Sequence, residues 1–466
     1  MTTSTVTGDA ASAILARLDR LPASWSIWRM VTLLSLGGMF EYYDLFMTGY
    51  VVPGLVKAGL LANVAVGIFT GPALFVAATF TGLFIGTFVF GFVADKYGRR
   101  SVFTVSLLFY CAATLVMAFQ NTGLSVCLWR LIAGIGIGVE LVTIDTYIAE
   151  LVPKHTRGRA FAFNSVIQFS VVPVVAFLSY LLVPTAPLGF DGWRWVVAIG
   201  SLGALFVWFL RLGVPESPRW LIQQGRVAEA EAVTAAIEAR VAADLRGAPL
   251  PPPAPHATER KEAAGRFAEI WQPPYRTRTL MLMVFQFFQT FGFYGFSAWV
   301  PTLIAQQTGI DVRASLLYSF IIAVASPFGP LLAVGFADRF ERKWQLVGAA
   351  LGVGVFGVLF SYQSTMALLI VFGVLITLCN NVLSTTFHGY QTELFPTRIR
   401  ARAVGFTYSF SRISTVFASF IIGFFLQTAG TKGVFGLIAF AMLMVVLSIG
   451  GFGPRTRDLE LEQISA

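Results

Sequence analysis

Long apolar runs follow one another along this chain, cut at short intervals by polar stretches. Runs near or above the roughly 20 residues needed to cross a hydrocarbon core fall at 27–53, 70–94, 101–119, 125–149, 159–183, 194–212, 277–303, 314–337, 344–362, 366–388, 403–427 and 433–452. The pattern predicts an all-α membrane protein with twelve transmembrane helices. The polar stretches repeat as well. Asp95, Lys96, Arg99, Arg100, Glu150, Pro153, Arg157 and Arg159, shifted by 243 positions, become Asp338, Arg339, Arg342, Lys343, Glu393, Pro396, Arg400 and Arg402. The chain therefore divides into two pseudo-symmetric six-helix bundles, at 27–212 and 277–452, with a polar tail at 1–26, a linker at 213–276 and a second tail at 453–466.

Composition sharpens this picture. A chain of 466 residues with 56% hydrophobic and only 12% charged residues, at a mean hydropathy of +0.73, cannot clothe itself in a polar surface. It is solvated by lipid. The polar, mixed first residues predict no cleavable signal peptide. The net charge of +9 follows membrane topology rather than nucleic-acid binding. Loops after the even-numbered spans 2, 4, 8 and 10 are rich in Lys and Arg, whereas the other side carries little beyond Lys57, Arg194, Arg313 and Lys432. Since positive loops stay inside, both termini are expected in the cytoplasm. Cys111, Cys127 and Cys379 lie in apolar runs without metal-ligand spacing and read as small core residues. No phosphate-binding loop with its Lys-Ser/Thr is present, so ATP-driven pumping is not expected, and the residues offer no enzyme chemistry, cofactor or metal site. The glycines Gly352, Gly354 and Gly357, and the pairs Gly82/Gly86 and Gly134/Gly138, read as close helix packing. In the linker, 226–246 is Ala-, Glu- and Arg-rich at helical spacing, and 249–255 is mostly proline; surface helices are expected there.

Gly91 to Arg100 between spans 2 and 3, and Arg130 with Gly134, Gly136 and Gly138 in span 4, resemble the signature loop and fourth-helix motif of the major facilitator superfamily. The resemblance covers essentially the whole chain, with Glu341 replacing a glycine in the second signature loop. Its plan of two bundles matches secondary transporters that rock around a central site. The charged loops place Asp95 within reach of Arg157 or Arg159, and Asp338 within reach of Arg400 or Arg402. With Arg99, Glu150, Arg342 and Glu393, they are expected to act as gate latches, or else only to set topology.

Charges far from water say more. Glu41 and Asp44 share one face of span 1, and Arg130 lies near the outer end of span 4. In proton-coupled sugar porters, which the chain resembles at these positions, such an Asp and Arg form a proton-responsive pair; a static buried ion pair is the alternative for Asp44 and Arg130. Glu41 and Glu140 are further protonation candidates, or hydrogen-bond a neighbouring helix. Asp145 lies toward the inner end, where a latch role is expected. Arg412 sits about 15 Å into span 11, too deep to snorkel to the surface. Its repeat equivalent is Phe169, so this cation is no part of the shared scaffold, and a guanidinium there suits a carboxylate. Around it, Gln286, Gln289, Tyr294, Trp299, Asn380, Asn381 and Tyr408 are candidate substrate contacts, with Phe293 and His388 nearby.

Two subfamilies compete. Pro215-Glu216-Ser217-Pro218-Arg219-Trp220 is similar to the sixth-helix signature of sugar porters, yet their tenth-helix Gly-Pro-x-x-Trp and closing Pro-Glu-Thr are missing. Tyr390 to Ala401, followed by Ser411-Arg412-Ile413, resembles bacterial niacin transporters and the related organic-anion and synaptic-vesicle-glycoprotein group, as does Gly295 to Pro301. That resemblance implies recognition of an anion by Arg412. The expectation is proton-coupled uptake of a small aromatic monocarboxylate, nicotinate first, by a monomer in a bacterial inner membrane. The alternatives are benzoate or another organic acid, a sugar or polyol, and a receptor that binds without transport.

Overall fold

The computed structural model describes residues 3–62, 64–66, 69–90, 93–211, 213–246, 248–253, 267–337 and 340–456. Among these, helices make twelve crossings. The first bundle holds spans 1 (Trp25–Lys57), 2 (Gly71–Phe90), 3 (Arg99–Ala118), 4 (Gly123–Leu151), 5 (Arg157–Leu182) and 6 (Gly192–Arg211). The second holds spans 7 (Tyr275–Ser297 and Val300–Thr308), 8 (Val312–Ala323 and Phe328–Ala337), 9 (Arg342–Ser361), 10 (Met366–Glu393), 11 (Thr397–Thr428) and 12 (Gly430–Phe452). Ten of these are long and apolar enough to cross a membrane by length and composition. Span 1 joins them at 33 residues despite its acids, and span 6 has 20. A two-residue ladder, Ala65–Val66 with Phe69–Thr70, closes the first outer loop.

Spans 7 and 8 are each interrupted, although their runs read as continuous in the sequence. Pro301 and Pro327 supply no N–H, and a proline disfavours helical backbone in the residue before it, so the helix stops and restarts there. Freed backbone carbonyls must then find donors inside the protein. Asn381 Nδ2 donates to the Ser326 carbonyl at 2.8 Å, in the break of span 8, and Asn380 Nδ2 to the Gly292 carbonyl of span 7 at 3.1 Å.

The N-terminal segment is more than a polar tail. It forms a helix, Thr3–Asp19, that buries Ile14 and Leu18. Its Arg17 pairs with Glu238 and Glu231 of the linker helix Val227–Asp244, and Arg20 with Glu238 at 2.7 Å. Ser26 N–H, at the start of span 1, donates to Asp244 at 2.7 Å. These helices lie on the face that carries both termini. There Glu216 also accepts from the backbone N–H of Arg99 and Arg100, at 3.1 and 3.2 Å, where span 3 begins. A carboxylate at a helix N-terminus satisfies orphan donors and opposes the helix dipole.

Contacts between the bundles gather on the opposite, outer half. Gln427 donates to Thr70 at 2.8 Å, the Phe177 and Phe320 rings approach to 5.2 Å, and Arg313 lies 5.7 Å over the Tyr180 ring. The outer side is closed.

Within the first bundle, spans 2 and 4 cross so closely that a Cβ added at Gly82, Gly86, Gly134 or Gly138 would fall 2.1–2.5 Å from a carbonyl oxygen of the facing helix. No rotamer relieves a clash with backbone. Gly82→Val and Gly134→Val are therefore expected to abolish folding, because even ordinary overpacking costs about 1–3 kcal/mol. Size-exclusion chromatography of the variants in detergent checks this, and a normal monodisperse peak would contradict it.

Candidate functional site

Arg412 occupies the middle of span 11, fifteen residues from Thr397 and sixteen from Thr428. Its side chain is turned inward, and the residue is only 4% exposed. The guanidinium lies 4.9 Å from the Tyr408 ring centre, and its Nη2 donates to the Tyr408 hydroxyl at 3.0 Å. Its Nε finds no acceptor among the described residues. A buried cationic donor without a partner is costly. Arg412 lines a cavity of about 80 Å³, several times the ~10–15 Å³ that one ordered water requires.

That cavity lies between the bundles. Span 1 contributes Tyr42, Leu45 and Phe46; span 4, Leu141 and Asp145; span 5, Gln168; span 7, Gln289, Phe293 and Tyr294. Ser384, Phe387 and His388 of span 10 and Tyr408, Ser411 and Arg412 of span 11 complete it. Several walls are i, i+4 pairs, which stack on one helical face: Tyr42/Phe46, Leu141/Asp145, Gln289/Phe293, Ser384/His388 and Tyr408/Arg412. His388 Nδ1 lies 2.7 Å from the Ser384 carbonyl. Since a carbonyl only accepts, Nδ1 carries a proton and Nε2 is the free end of the ring.

Of the candidate substrate contacts, Arg412, Tyr294, Gln289 and Tyr408 meet in this cavity. Asn380 and Asn381 do not. They line a second cavity of about 30 Å³, with Ser297, Val300 and Ser326 around it. Phe46 and Phe293 line both chambers. With Phe169 they form a three-ring cluster, centroids 6.2–6.4 Å apart. Gln286 is fully buried and donates to Gln391 at 3.4 Å, bracing span 7 on span 10. Trp299, 2% exposed at the break in span 7, packs in the outer closure near Gly423 instead of lining the Arg412 cavity. Placing these residues by depth alone failed because depth does not tell which face of the helix a side chain occupies.

Asp44 and Arg130 come together. Arg130 Nη1 meets Asp44 Oδ2 at 2.9 Å, its Nη2 donates to the Asp44 carbonyl at 2.7 Å and to Thr48 at 2.6 Å, and its Nε donates to Thr79 at 2.9 Å. Thr114 adds a donor to Asp44 Oδ2 at 3.4 Å. Arg130, Glu41 and Glu140 are all fully buried.

Two ion pairs are described among the inner charges expected to act as latches. Arg99 of span 3 holds Glu150 of span 4 at 3.0 Å, and Arg342 of span 9 pairs with Glu393 of span 10, the equivalent residues of the repeat. Each pair joins two helices of one bundle, so these bonds brace a bundle and cannot part simply because the bundles separate. Asp338 and the side chain of Asp95 lie outside the described residues. Arg157 is half-buried with no acceptor for its Nε among the described residues, Arg159 and Arg402 are exposed, and Arg400 Nε donates to the Phe395 carbonyl at 3.1 Å.

A sequence family described as sugar (and other) transporters matches residues 30–466. The chain belongs to that family. It is a multi-pass membrane transporter of the major facilitator superfamily. Curated relatives include the putative metabolite transport protein YyaJ of Bacillus subtilis, 30% identical over 451 residues, with 96% of each chain covered. The niacin transporter NiaP of Acinetobacter baylyi is 27% identical over 97% of this chain and 99% of its own. Among solved structures, the xylose transporter XylE from E. coli, in a partially occluded inward-open conformation, superposes with a TM-score of 0.74. That match has 20% identity and covers 94% of this chain and 100% of the other. It shares the fold.

Removing one member of a buried ion pair strands the other, at a cost of about 3–5 kcal/mol. Arg130→Met and Asp44→Asn are each expected to lower the melting temperature in detergent, and the double variant less than the sum of the two. Thermal unfolding followed by intrinsic fluorescence reads this; an Arg130→Met protein that melts like the wild type would contradict it.

Proposed function

We propose that this transporter is a proton-coupled symporter of a small aromatic monocarboxylate, nicotinate first, that works by alternating access. The observation that carries the reading is Arg412, buried at mid-span, lining a cavity between the bundles and with its Nε unpaired among the described residues. A guanidinium offers two parallel N–H groups to a carboxylate, a geometry no neutral solute returns. The rings of Tyr42, Phe46, Phe293, Phe387 and Tyr408 suit a flat, aromatic guest, by offset or edge-on packing worth about 0.5–1.5 kcal/mol per pair. Full-length likeness to a niacin transporter favours nicotinate over benzoate.

Proton coupling falls to carboxylates buried in spans 1 and 4, among them Asp44, Glu41 and Glu140. A carboxylate stays ionised beside an arginine and takes a proton when left in apolar surroundings, so a change in packing can load or release it. One proton moving with one monoanion carries no net charge, and the pH difference drives it; a second would add ~2.3 kcal/mol per 100 mV of membrane potential. With its outer side closed, the molecule stands in a state that opens toward the face with the termini. The positive loops support a cytoplasmic position for that face in a bacterial cell, and a monomer is the working unit of this reading.

In liposomes with acid outside, the wild type is expected to accumulate labelled nicotinate. Arg412→Ala removes one partner of a buried charged pair, about 2–5 kcal/mol, so uptake should fall roughly 30-fold or more, and Arg412→Lys should recover only part of it. Unchanged uptake by Arg412→Ala would contradict the assignment. Wild-type uptake of a pentose or polyol with no response to nicotinate would favour a neutral solute.

A further inference from the structure

A carboxylate with no part in the scheme so far stands in the same chamber as Arg412. Asp145 of span 4 lines the cavity, and the basic groups that act on it are the His388 imidazole and the Arg412 guanidinium, both from the other bundle. Among the described residues no ion pair ties it down. Tyr42 of span 1 also acts with it, and Tyr294 of span 7, Tyr408 of span 11 and uncharged Gln168 of span 5 share the cavity walls, while Glu41 acts on Tyr42 and Arg412 from outside them. Asp44 is held by Arg130 and Thr114 and is not a wall of the cavity, and neither are Glu41 and Glu140. Asp145 is thus the acid that shares space with the guest.

Charge counting gives it a task. Without a guest, Arg412 and Asp145 bring one positive and one negative charge to the cavity, with the titratable His388 imidazole beside them. A bound monocarboxylate adds a second negative charge close to Asp145, and two like charges at short range disfavour one another. A proton from the aqueous side that forms an O–H bond on Asp145 restores the balance and leaves Arg412 free to give its donors to the guest. We propose that Asp145 takes the substrate-linked proton, so that anion and proton occupy the cavity together. Each then favours the other by the same factor. The inference rests on Arg412 as the partner of the anion.

Isothermal titration calorimetry with nicotinate, in buffers of different ionisation enthalpy, measures proton uptake and affinity at once. The wild type is expected to take up about one proton per nicotinate, with affinity falling roughly tenfold per pH unit once Asp145 is ionised in the free protein. Asp145→Asn should bind nicotinate with no pH-dependent fall and take up no proton. In liposomes it should exchange labelled for unlabelled nicotinate without accumulating it along a pH difference. Should Asp145→Asn fail to fold, Asp145→Ser, which also lacks the titrating group, carries the same expectation. Wild-type proton uptake by either variant would overturn the proposal and move the proton to Asp44, Glu41 or Glu140. A wild-type protein that does not bind nicotinate, or an Arg412→Ala protein that binds it unchanged, would instead overturn the reading beneath, and this inference with it.

Discussion

A guanidinium at the centre of a ~30 Å hydrocarbon layer costs at least about 2.5–3.5 kcal/mol and rises with its distance from water. Arg412, at the midpoint of a 32-residue helix, cannot face lipid and cannot snorkel out. Span 11 must turn it toward the partner bundle, and the two bundles must leave room between them. The ring and hydroxyl of Tyr408 meet part of its demand, and the remaining donor defines what can enter. The chamber, its aromatic walls and the acid within it follow from that placement.

The two buried arginines divide the work. Arg130 is saturated by Asp44, Thr48 and Thr79, all from its own bundle, and so fixes the packing of spans 1, 2 and 4. Arg412 is left short of a partner and so is open to a guest. The internal repeat sharpens the contrast. The position equivalent to Arg412 in the first half is Phe169, a member of the ring cluster between the two chambers. Both copies of that position face the central path; one carries charge and the other closes space. The paired charges at the inner ends obey the repeat instead, with Arg99–Glu150 and Arg342–Glu393 occupying equivalent places. Scaffold bonds are duplicated and the site residue is not.

Much of this was legible in the chain. Length and hydropathy gave the twelve helices and the 243-residue shift gave the two bundles, because each span must satisfy its own backbone in lipid and the periodicity survives in the sequence. The meeting of Asp44 with Arg130 was legible too, since few partners exist for a buried charge. Hidden were the breaks in spans 7 and 8, where Pro301 and Pro327 were read as part of continuous runs. Also hidden was the amphipathic helix Thr3–Asp19, short of any apolar run. The distribution of polar groups between two chambers was missed because depth was known and helical face was not. Asp145 was placed among latch residues for that reason. The i, i+4 pairing of Leu141 with Asp145, like that of Ser384 with His388, was the available sign that these helices turn polar groups to one cavity.

The central claim is that the chamber selects a negative charge. Nicotinate and nicotinamide share ring and size and differ in whether the substituent is an anion, so their equilibrium affinities for the purified wild-type protein test it most directly. The account predicts that nicotinate binds at least roughly 30-fold more tightly, the difference expected when a buried charged pair loses one partner. Equal affinities, or a preference for the amide, would contradict it.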